Sequence, residues 1–482
     1  MELNSSSPYP EGVISFLDTD LYKLTMQCAV LKYYKDVPVT YSFTNRTPTK
    51  KLSRTAFQWL SDQIRKLGNI SLSDEELAFL KLHCPYLSPA YLDFLKGFRL
   101  NPREEVIVSF VPDSSSSASS TESPDDTGDL DIVIRGKWVD TILYEIPILA
   151  LTSEAYFKFM DTDWNYDGQQ ELAFDKGMRL LEAGCVLSEF GTRRRRDYHT
   201  QALVFRGLVQ ASREAEKRSL PGKLSGTSNV HLAMRFNLAP VGTVAHEWFM
   251  GIAALTGDYR QATEEALYRW VGCFGEGVLG IALTDTFGTP GFLREFGRPV
   301  RYVDGASANV KTPAAVSFIE SSQQEPAVAS KTYAQIFTGV RQDSGDPTEY
   351  VKLMRDFYDS QGITEKKVIV FSDSLDLERC LQYKQVAEAA GFQPTFGVGT
   401  FLTNDFVNLT TGKKSVPLNI VIKLSSANGR PAVKISDNAG KNTGDKDTVD
   451  RVKRELGYAE KVWEDGDETR RWGNEGEQAS KA

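Results

Sequence analysis

The pattern of apolar and polar positions divides the chain into two stretches. Before about residue 165, helical and strand periods are mixed. Asp18-Thr19-Asp20 offers capping groups for a helix whose Leu21, Leu24, Cys28 and Leu31 form one core-facing stripe, with Tyr22 and Met26 off it. Residues 37–43 read as a strand and 56–67 and 73–82 as helices, the last opened by a capping box of Ser73 and Glu76. Strands over 106–111 and 130–135 flank a Ser/Asp-rich stretch, 112–129, which is too polar to fold and is predicted as a mobile hairpin loop. The apolar run 140–160 is interrupted by Glu145, Pro147 and Glu154, so it predicts a buried helix rather than a membrane span.

From about residue 184 the pattern becomes a short apolar run, a polar residue, then an amphipathic helix, repeated. Predicted strands end near Glu189, Thr227, His246, Asp285, Arg341, Asp373 and Thr400, with 418–424 as another. Seven or eight such units predict a closed α/β barrel with its chemistry at the carboxyl ends of the strands, a doubly wound open sheet being the alternative. The expected organisation is an α+β domain over 1–165, against which 430–464 pack back, and an α/β barrel over 166–429. A Ser/Ala/Gln/Pro-rich loop, 304–331, interrupts the barrel, residues 1–13 read as a loose arm, and the charged, Gly-rich 465–482 as a disordered tail.

Composition narrows the class. A net charge of -8 over 482 residues argues against general binding to nucleic acid or a membrane surface, so any anion must be met by a local cluster. The five cysteines are scattered, without a CxxC pair, which suggests neither a disulfide framework nor a zinc site and fits a reducing compartment. The amino terminus lacks a signal pattern and no apolar run is long enough to span a bilayer, so an intracellular protein is expected.

The candidate chemistry sits at the predicted strand ends. His246, one of four histidines, follows the run Pro240-Val241-Gly242-Thr243-Val244-Ala245; alone it reads first as a hydrogen-bonded structural residue and only second as a catalyst. It is no zinc-protease motif, since position 250 is Met250. Arg193 to Arg196 are either a solvated charge run or an anion site, and helical geometry lets at most two of them share a pocket, with Arg193 and Arg194 nearest the strand end. Phe190 beside them offers an aromatic face to a flat ligand. Asp285 and Asp343 end strands among hydroxyls and suit a polyol or a metal, whereas Asp346 before Pro347 is a helix cap. Ser372-Asp373-Ser374 and Gly397-Val398-Gly399-Thr400 end adjacent strands with small groups able to cradle a phosphate.

Together these segments form a recognisable series. LDTDLYKLTM (17–26), YSFTNR (41–46), SEFGTRRRR (188–196), GTSN (226–229), GTVAHEW (242–248), ALTDTFGT (282–289), VRQDSGDP (340–347), SDS (372–374) and GVGT (397–400) occur in the order seen in nicotinate phosphoribosyltransferases, and the chain resembles that family from about residue 14 to 464. The resemblance implies an irregular barrel of the type II phosphoribosyltransferase kind with an N-terminal α+β domain. It implies an NAD-salvage enzyme that joins nicotinate to 5-phosphoribosyl 1-diphosphate with ATP as co-substrate and magnesium as cofactor. The related nicotinamide phosphoribosyltransferase, or a non-catalytic sugar-phosphate-binding barrel, are the alternatives. By resemblance Tyr22 and Phe190 sandwich the pyridine ring, Thr243 contacts it and Arg341 pairs with its carboxylate. Arg193, Arg194, Ser372, Gly399 and Thr400 hold the phosphoribosyl diphosphate. Asp285 and Asp343 hold ribose hydroxyls or magnesium, His246 is phosphorylated by ATP, and Glu247 orients its ring. The resemblance further implies a head-to-tail homodimer with sites between subunits, Tyr22 serving the other chain, and a cytoplasmic enzyme with the nucleus as a further compartment.

Overall fold

The computed structural model describes residues 9–113, 123–301, 331–438, 441–458 and 463. Most of the Ser-rich loop, the 304–330 part of the insertion and the 465–482 tail lie outside them. No helix among the described residues is long and apolar enough to cross a membrane.

The first helix, Leu21–Tyr33, is buried on nearly every side, not along one stripe; Met26 lies in the core with Leu21, Leu24 and Cys28. A helix so enclosed must pair its polar groups internally. Gln27 donates to Val139 O (2.8 Å) and accepts from the Tyr91 hydroxyl (2.7 Å), and the Thr25 hydroxyl reaches Thr243 O (2.6 Å). The capping box of Ser73 and Glu76 forms as expected, opening the helix Asp74–His83.

Two sheets organise the chain. In the first, the strand Pro38–Asn45 runs antiparallel to Thr127–Lys137, which also pairs with Val106–Pro112. Its other neighbour is Ile420–Ala427, with Tyr41 opposite Leu424 and Phe43 opposite Ile422. The expectation that 418–424 forms a barrel strand is therefore corrected. Ile420, Ile422 and Leu424 are buried in this antiparallel sheet, where a run that is apolar on both faces is covered as completely as in a parallel one.

The second sheet is wholly parallel, in the order Lys223–Thr227, Val186–Glu189, Gln393–Val398, Val368–Phe371, Gly339–Gln342, Ile281–Leu283. The α/β class and the N-terminal α+β unit stand as expected, but among the described residues the parallel strands number six rather than seven or eight. The segment before His246 is the difference. Pro240 has no N–H to give a ladder, and Gly242 departs from strand geometry at φ 155, so only a single parallel bridge, Thr227 to Pro240, joins it to the sheet. His246 is accordingly the first residue of a helix, His246–Thr256, rather than the last of a strand. That helix lies against Trp138 at Gly251, where an added Cβ would sit 2.3 Å from the indole.

Candidate active site

Residues just past the carboxyl ends of five parallel strands, Phe190, Ser228, Asp343, Ser372 and Gly399, line one cavity. Asp20 and Tyr22 close it from the start of the first helix, Thr243 and His246 from the helix start, and Glu145 and Lys423 from the helix Glu145–Phe159 and the antiparallel sheet. Of the residues singled out in the sequence, Tyr22, Phe190, Arg193, Arg194, Thr243, His246, Arg341, Asp343, Ser372, Gly399 and Thr400 all border this space. Asp285 does not, but stands directly behind His246, with 3.8 Å between Nε2 and Oδ1.

Tyr22 borders the cavity of its own chain beside Phe190. The cause is in the backbone: Leu21 N–H donates to Ser228 O (2.7 Å), and Val230 and His231 N–H donate to Thr19 O and Leu17 O (3.0 and 2.8 Å). The Asp20 carboxylate, instead of capping its helix, accepts from the Ser228 hydroxyl at 2.7 Å. These ties fix the first helix at the strand end where Phe190 projects. The Phe190 ring rests on Gly397, where a Cβ would lie 2.3 Å from the ring, so only glycine leaves the aromatic that position.

Arg341 Nε donates to Ser372 Oγ (2.7 Å) and its Nη2 to Asp343 Oδ1 (2.7 Å), while the Ser372 hydroxyl reaches the same carboxylate oxygen at 2.9 Å. Two of the five guanidinium N–H groups thus set its plane at the cavity wall. Burial works to raise the Asp343 carboxyl, but the neighbouring cations, Arg341 first and then Lys434, outweigh it and hold it well below the usual carboxylate range.

The four arginines divide two and two. Arg193 and Arg194 face the cavity, Arg194 donating to Asn419 Oδ1 at 2.8 Å. Arg195 turns away into a bidentate pair with Asp18, both contacts 2.8 Å and both side chains buried. Arg196 lies over the rings of Phe157 and Phe406, 3.7 and 4.0 Å from their centroids, and donates to Ser415 Oγ. The last two arginines hold the fold.

His246 is flanked at both nitrogens. Nδ1 lies 3.0 Å from Thr286 Oγ1, and Nε2 lies 2.8 Å from Lys434 Nζ and 3.0 Å from Asp343 Oδ2. One ring nitrogen cannot accept from an ammonium and donate to a carboxylate together. Burial and then Lys434 bring the imidazole down to about 4, so the ring is neutral at ordinary pH. We assign the ring proton to Nδ1, donated to Thr286, with the Nε2 lone pair facing Lys434. Glu247 does not orient this ring. Consecutive helical residues point about 100° apart, and its carboxylate accepts from Tyr41 and Trp138 (2.5 and 2.8 Å) and pairs with Lys23.

Sequence reasoning passed over a charged wall. Lys23, fully buried, bridges Glu247 and Glu145 (2.5 Å to the latter), and Glu145 also faces Lys423 and Arg193 at 3.8 and 3.9 Å. Burial opposes ionisation of Glu145, yet these cations bring it down to about 2, and burial brings Lys423 down to about 8. Lys23 and Glu145 each interrupt an apolar run, and a lone charge in such a run is the available signal for a buried pair. Lys434 lies outside every motif and carried no signal.

His246, Asp285 and Asp343 place one ligand-type atom each within 4.8 Å of one another. Asp285 Oδ1, buried without a hydrogen bond, is the one atom that favours a metal there. The rest of the set does not fit a resident magnesium ion. Lys434 Nζ is 3.2 Å from Asp285 Oδ2 and 2.8 Å from His246 Nε2, Ser344 donates to the same Asp285 oxygen at 2.5 Å, and Arg341 holds Asp343. Two carboxylates facing two cations are already neutral, and magnesium prefers oxygen to imidazole.

The comparisons bear on the whole chain. Residues 17–153 match the model described as the nicotinate phosphoribosyltransferase N-terminal domain, and 185–304 with 315–460 match that of the nicotinate phosphoribosyltransferase family. The relative named "Probable nicotinate phosphoribosyltransferase" from Schizosaccharomyces pombe is 45% identical over 447 residues, 92% of this chain and 98% of that one. The nicotinate phosphoribosyltransferase of Saccharomyces cerevisiae is 42% identical over 463 residues, 95% and 98% of the two chains. A crystal structure of the enzyme from Porphyromonas gingivalis superposes with a TM-score of 0.75 at 32% identity, covering 92% of this chain and 100% of that one.

Proposed function

The chain belongs to the nicotinate phosphoribosyltransferase family, and we propose from that premise how its cavity divides the work of the transfer. The enzyme joins nicotinate to 5-phosphoribosyl 1-diphosphate: the pyridine nitrogen bonds to the anomeric carbon, the bond from that carbon to the diphosphate oxygen breaks, and nicotinate mononucleotide and diphosphate result. Such a transfer needs positioning and charge stabilisation rather than a covalent sugar intermediate. Tyr22 and Phe190 flank the pyridine ring, Thr243 contacts it, and Arg341 offers its remaining N–H groups to the carboxylate. Gly399 and Thr400 take the 5-phosphate, with Ser372 beside them, and Arg193 and Arg194 face the diphosphate. Asp343, fixed by Arg341 and Ser372, is set to hold the ribose hydroxyls.

ATP enters as co-substrate through His246. Its neutral Nε2 attacks the γ-phosphorus, the bond to the bridging oxygen breaks and ADP leaves; hydrolysis of the phosphohistidine later resets the site. What supports this most is the position of His246 as the first residue of an eleven-residue helix, whose N-terminus favours a newly placed anion, with Lys434 at 2.8 Å. Magnesium, implied by the resemblance, we assign to the substrates' own diphosphate groups rather than to Asp285 and Asp343 of the resting enzyme. The homodimer we propose pairs two chains head to tail, each furnishing Tyr22 to its own site. The described cysteines are all free, in keeping with a cytoplasmic enzyme that the nucleus also contains.

The test is diphosphate release from purified protein given nicotinate, nicotinamide or quinolinate, with and without ATP. Release with nicotinate, accelerated by ATP, is the expected result. Equal use of nicotinate and nicotinamide overturns the role of Arg341, and ATP turnover surviving in His246→Asn overturns that of His246.

A further inference from the structure

Lys434 is buried, 5% exposed, in a segment that contributes to neither of the large sheets. Its backbone is fixed nonetheless. Lys434 N–H donates to Thr443 O (2.9 Å), Thr443 N–H returns to Lys434 O (3.0 Å), and the next N–H, of Ile435, donates to Thr286 O at 2.8 Å. Thr286 is also the residue whose hydroxyl meets His246 Nδ1. One short segment therefore sets both the ammonium at Nε2 and the residue that faces the opposite nitrogen.

The ammonium lies among lone pairs that nothing else reconciles. His246 Nε2 and Asp343 Oδ2, both acceptors when the ring is neutral, are 3.0 Å apart, and Asp285 Oδ1 is 3.8 Å from the same nitrogen. Acceptors at such distances repel unless a cation lies beside them. Lys434 Nζ, 2.8 Å from Nε2 and 3.2 Å from Asp285 Oδ2, is that cation. We propose that Lys434 is the fixed cation of this His246–Asp285–Asp343 cluster, taking the place that a resident divalent ion would occupy, and so acts as a positioning residue for His246. A tethered ammonium needs no dehydration step and cannot be lost to a chelator. It also fixes the orientation of the imidazole in the absence of ligand, and gives up the Nε2 lone pair when that nitrogen attacks.

The consequence is measurable without turnover, so it stands apart from the transferase reading. Substrate-free protein titrated with Mn2+ and followed by electron paramagnetic resonance should bind no stoichiometric ion. Lys434→Met, which keeps the length and removes the charge, should bind one per chain, and Lys434→Met with Asp285→Asn should again bind none. Lys434→Arg should behave as the native protein. Stoichiometric Mn2+ on the native protein that disappears in Asp285→Asn overturns the proposal, and that arm holds even if Lys434→Met fails to fold. A folded Lys434→Met with no ion bound also overturns it.

Discussion

The division of the four arginines makes a sharp prediction, because two of them only two positions apart, Arg193 and Arg195, should fail in opposite ways when truncated. Arg195 and Asp18 are both essentially inaccessible and joined by two N–H···O contacts of 2.8 Å, and Arg195 also donates to Gln201 Oε1 at 3.0 Å. Burial alone would raise the Asp18 carboxyl, but Arg195 outweighs it and holds it below the usual range. Arg195→Ala strands that carboxylate where water cannot reach it. Removing one partner of a buried pair costs about 3–5 kcal/mol, a large part of the margin of most folds. Arg193 has a side chain 34% exposed and its nearest acidic partner, Glu145, at 3.9 Å, so Arg193→Ala should cost no more than about 1 kcal/mol. Urea unfolding followed by circular dichroism measures both stability costs, and steady-state diphosphate release measures the effect on substrate binding. Arg193→Ala should melt like the native protein and show a raised KM for 5-phosphoribosyl 1-diphosphate. Arg195→Ala should unfold at markedly lower urea, with an unaltered KM in whatever fraction remains folded. Equal destabilisation by the two, or a KM effect confined to Arg195→Ala, refutes the division.

Three further outcomes follow from the same geometry. Arg341→Ala should raise the nicotinate KM about ten- to a hundredfold, the worth of hydrogen bonds between charged groups, with a smaller effect on the diphosphate sugar; a larger sugar effect would place Arg341 at the wrong ligand. His246→Asn should keep slow, ATP-independent transfer and lose labelled acid-labile phosphate, and label that persists moves the phosphorylated residue elsewhere. Glu154 is buried, accepts from Gly12 N–H at 2.9 Å, and is pushed by burial from 4.5 up to about 8. The folded chain thus holds a proton there that the unfolded chain has released, so stability is full below about pH 4.5 and falls as pH rises toward 8. The total loss is on the order of 5 kcal/mol. Glu154→Gln keeps the acceptor without the charge and should flatten the fall; an unchanged slope in urea midpoints from pH 5 to 8 sinks this account.

What the sequence disclosed and what it withheld follow from the range of each interaction. All six strand ends of the parallel sheet were legible, at Glu189, Thr227, Asp285, Arg341, Asp373 and Thr400, because a short apolar run followed by a polar residue is a local pattern, and residues just beyond five of the ends meet in one cavity. The partner of a strand is not local. The run Ile420-Val421-Ile422-Lys423-Leu424 is apolar enough for either sheet, and only its antiparallel pairing with Pro38–Asn45 brings Lys423 to the cavity. His246 was found by its motif but misplaced on a strand, since the extended stretch before it makes one bridge rather than a ladder. Lys434 was invisible because a lysine between valine and isoleucine carries no spacing to distinguish it from a solvated one. Its meaning comes from where its backbone hydrogen bonds carry its ammonium, beside His246 and Asp285.

The placement of Tyr22 shows how such backbone ties decide a question that separation along the chain cannot. More than 160 residues lie between Tyr22 and Phe190, which is equally compatible with meeting in one chain or across two. The N–H of Leu21, one of the donors left without a partner inside the helix, is satisfied by Ser228 O, and the extended backbone at Thr19 and Leu17 accepts from the helix that begins at Val230. These bonds are made by main-chain atoms, so a side-chain change at Tyr22 does not loosen them. A chain that exchanged its first helix with a neighbour would have to break them together with the buried Asp18–Arg195 pair. The place of Tyr22 in the cavity of its own chain is therefore fixed by the same contacts that hold the first helix to the parallel sheet.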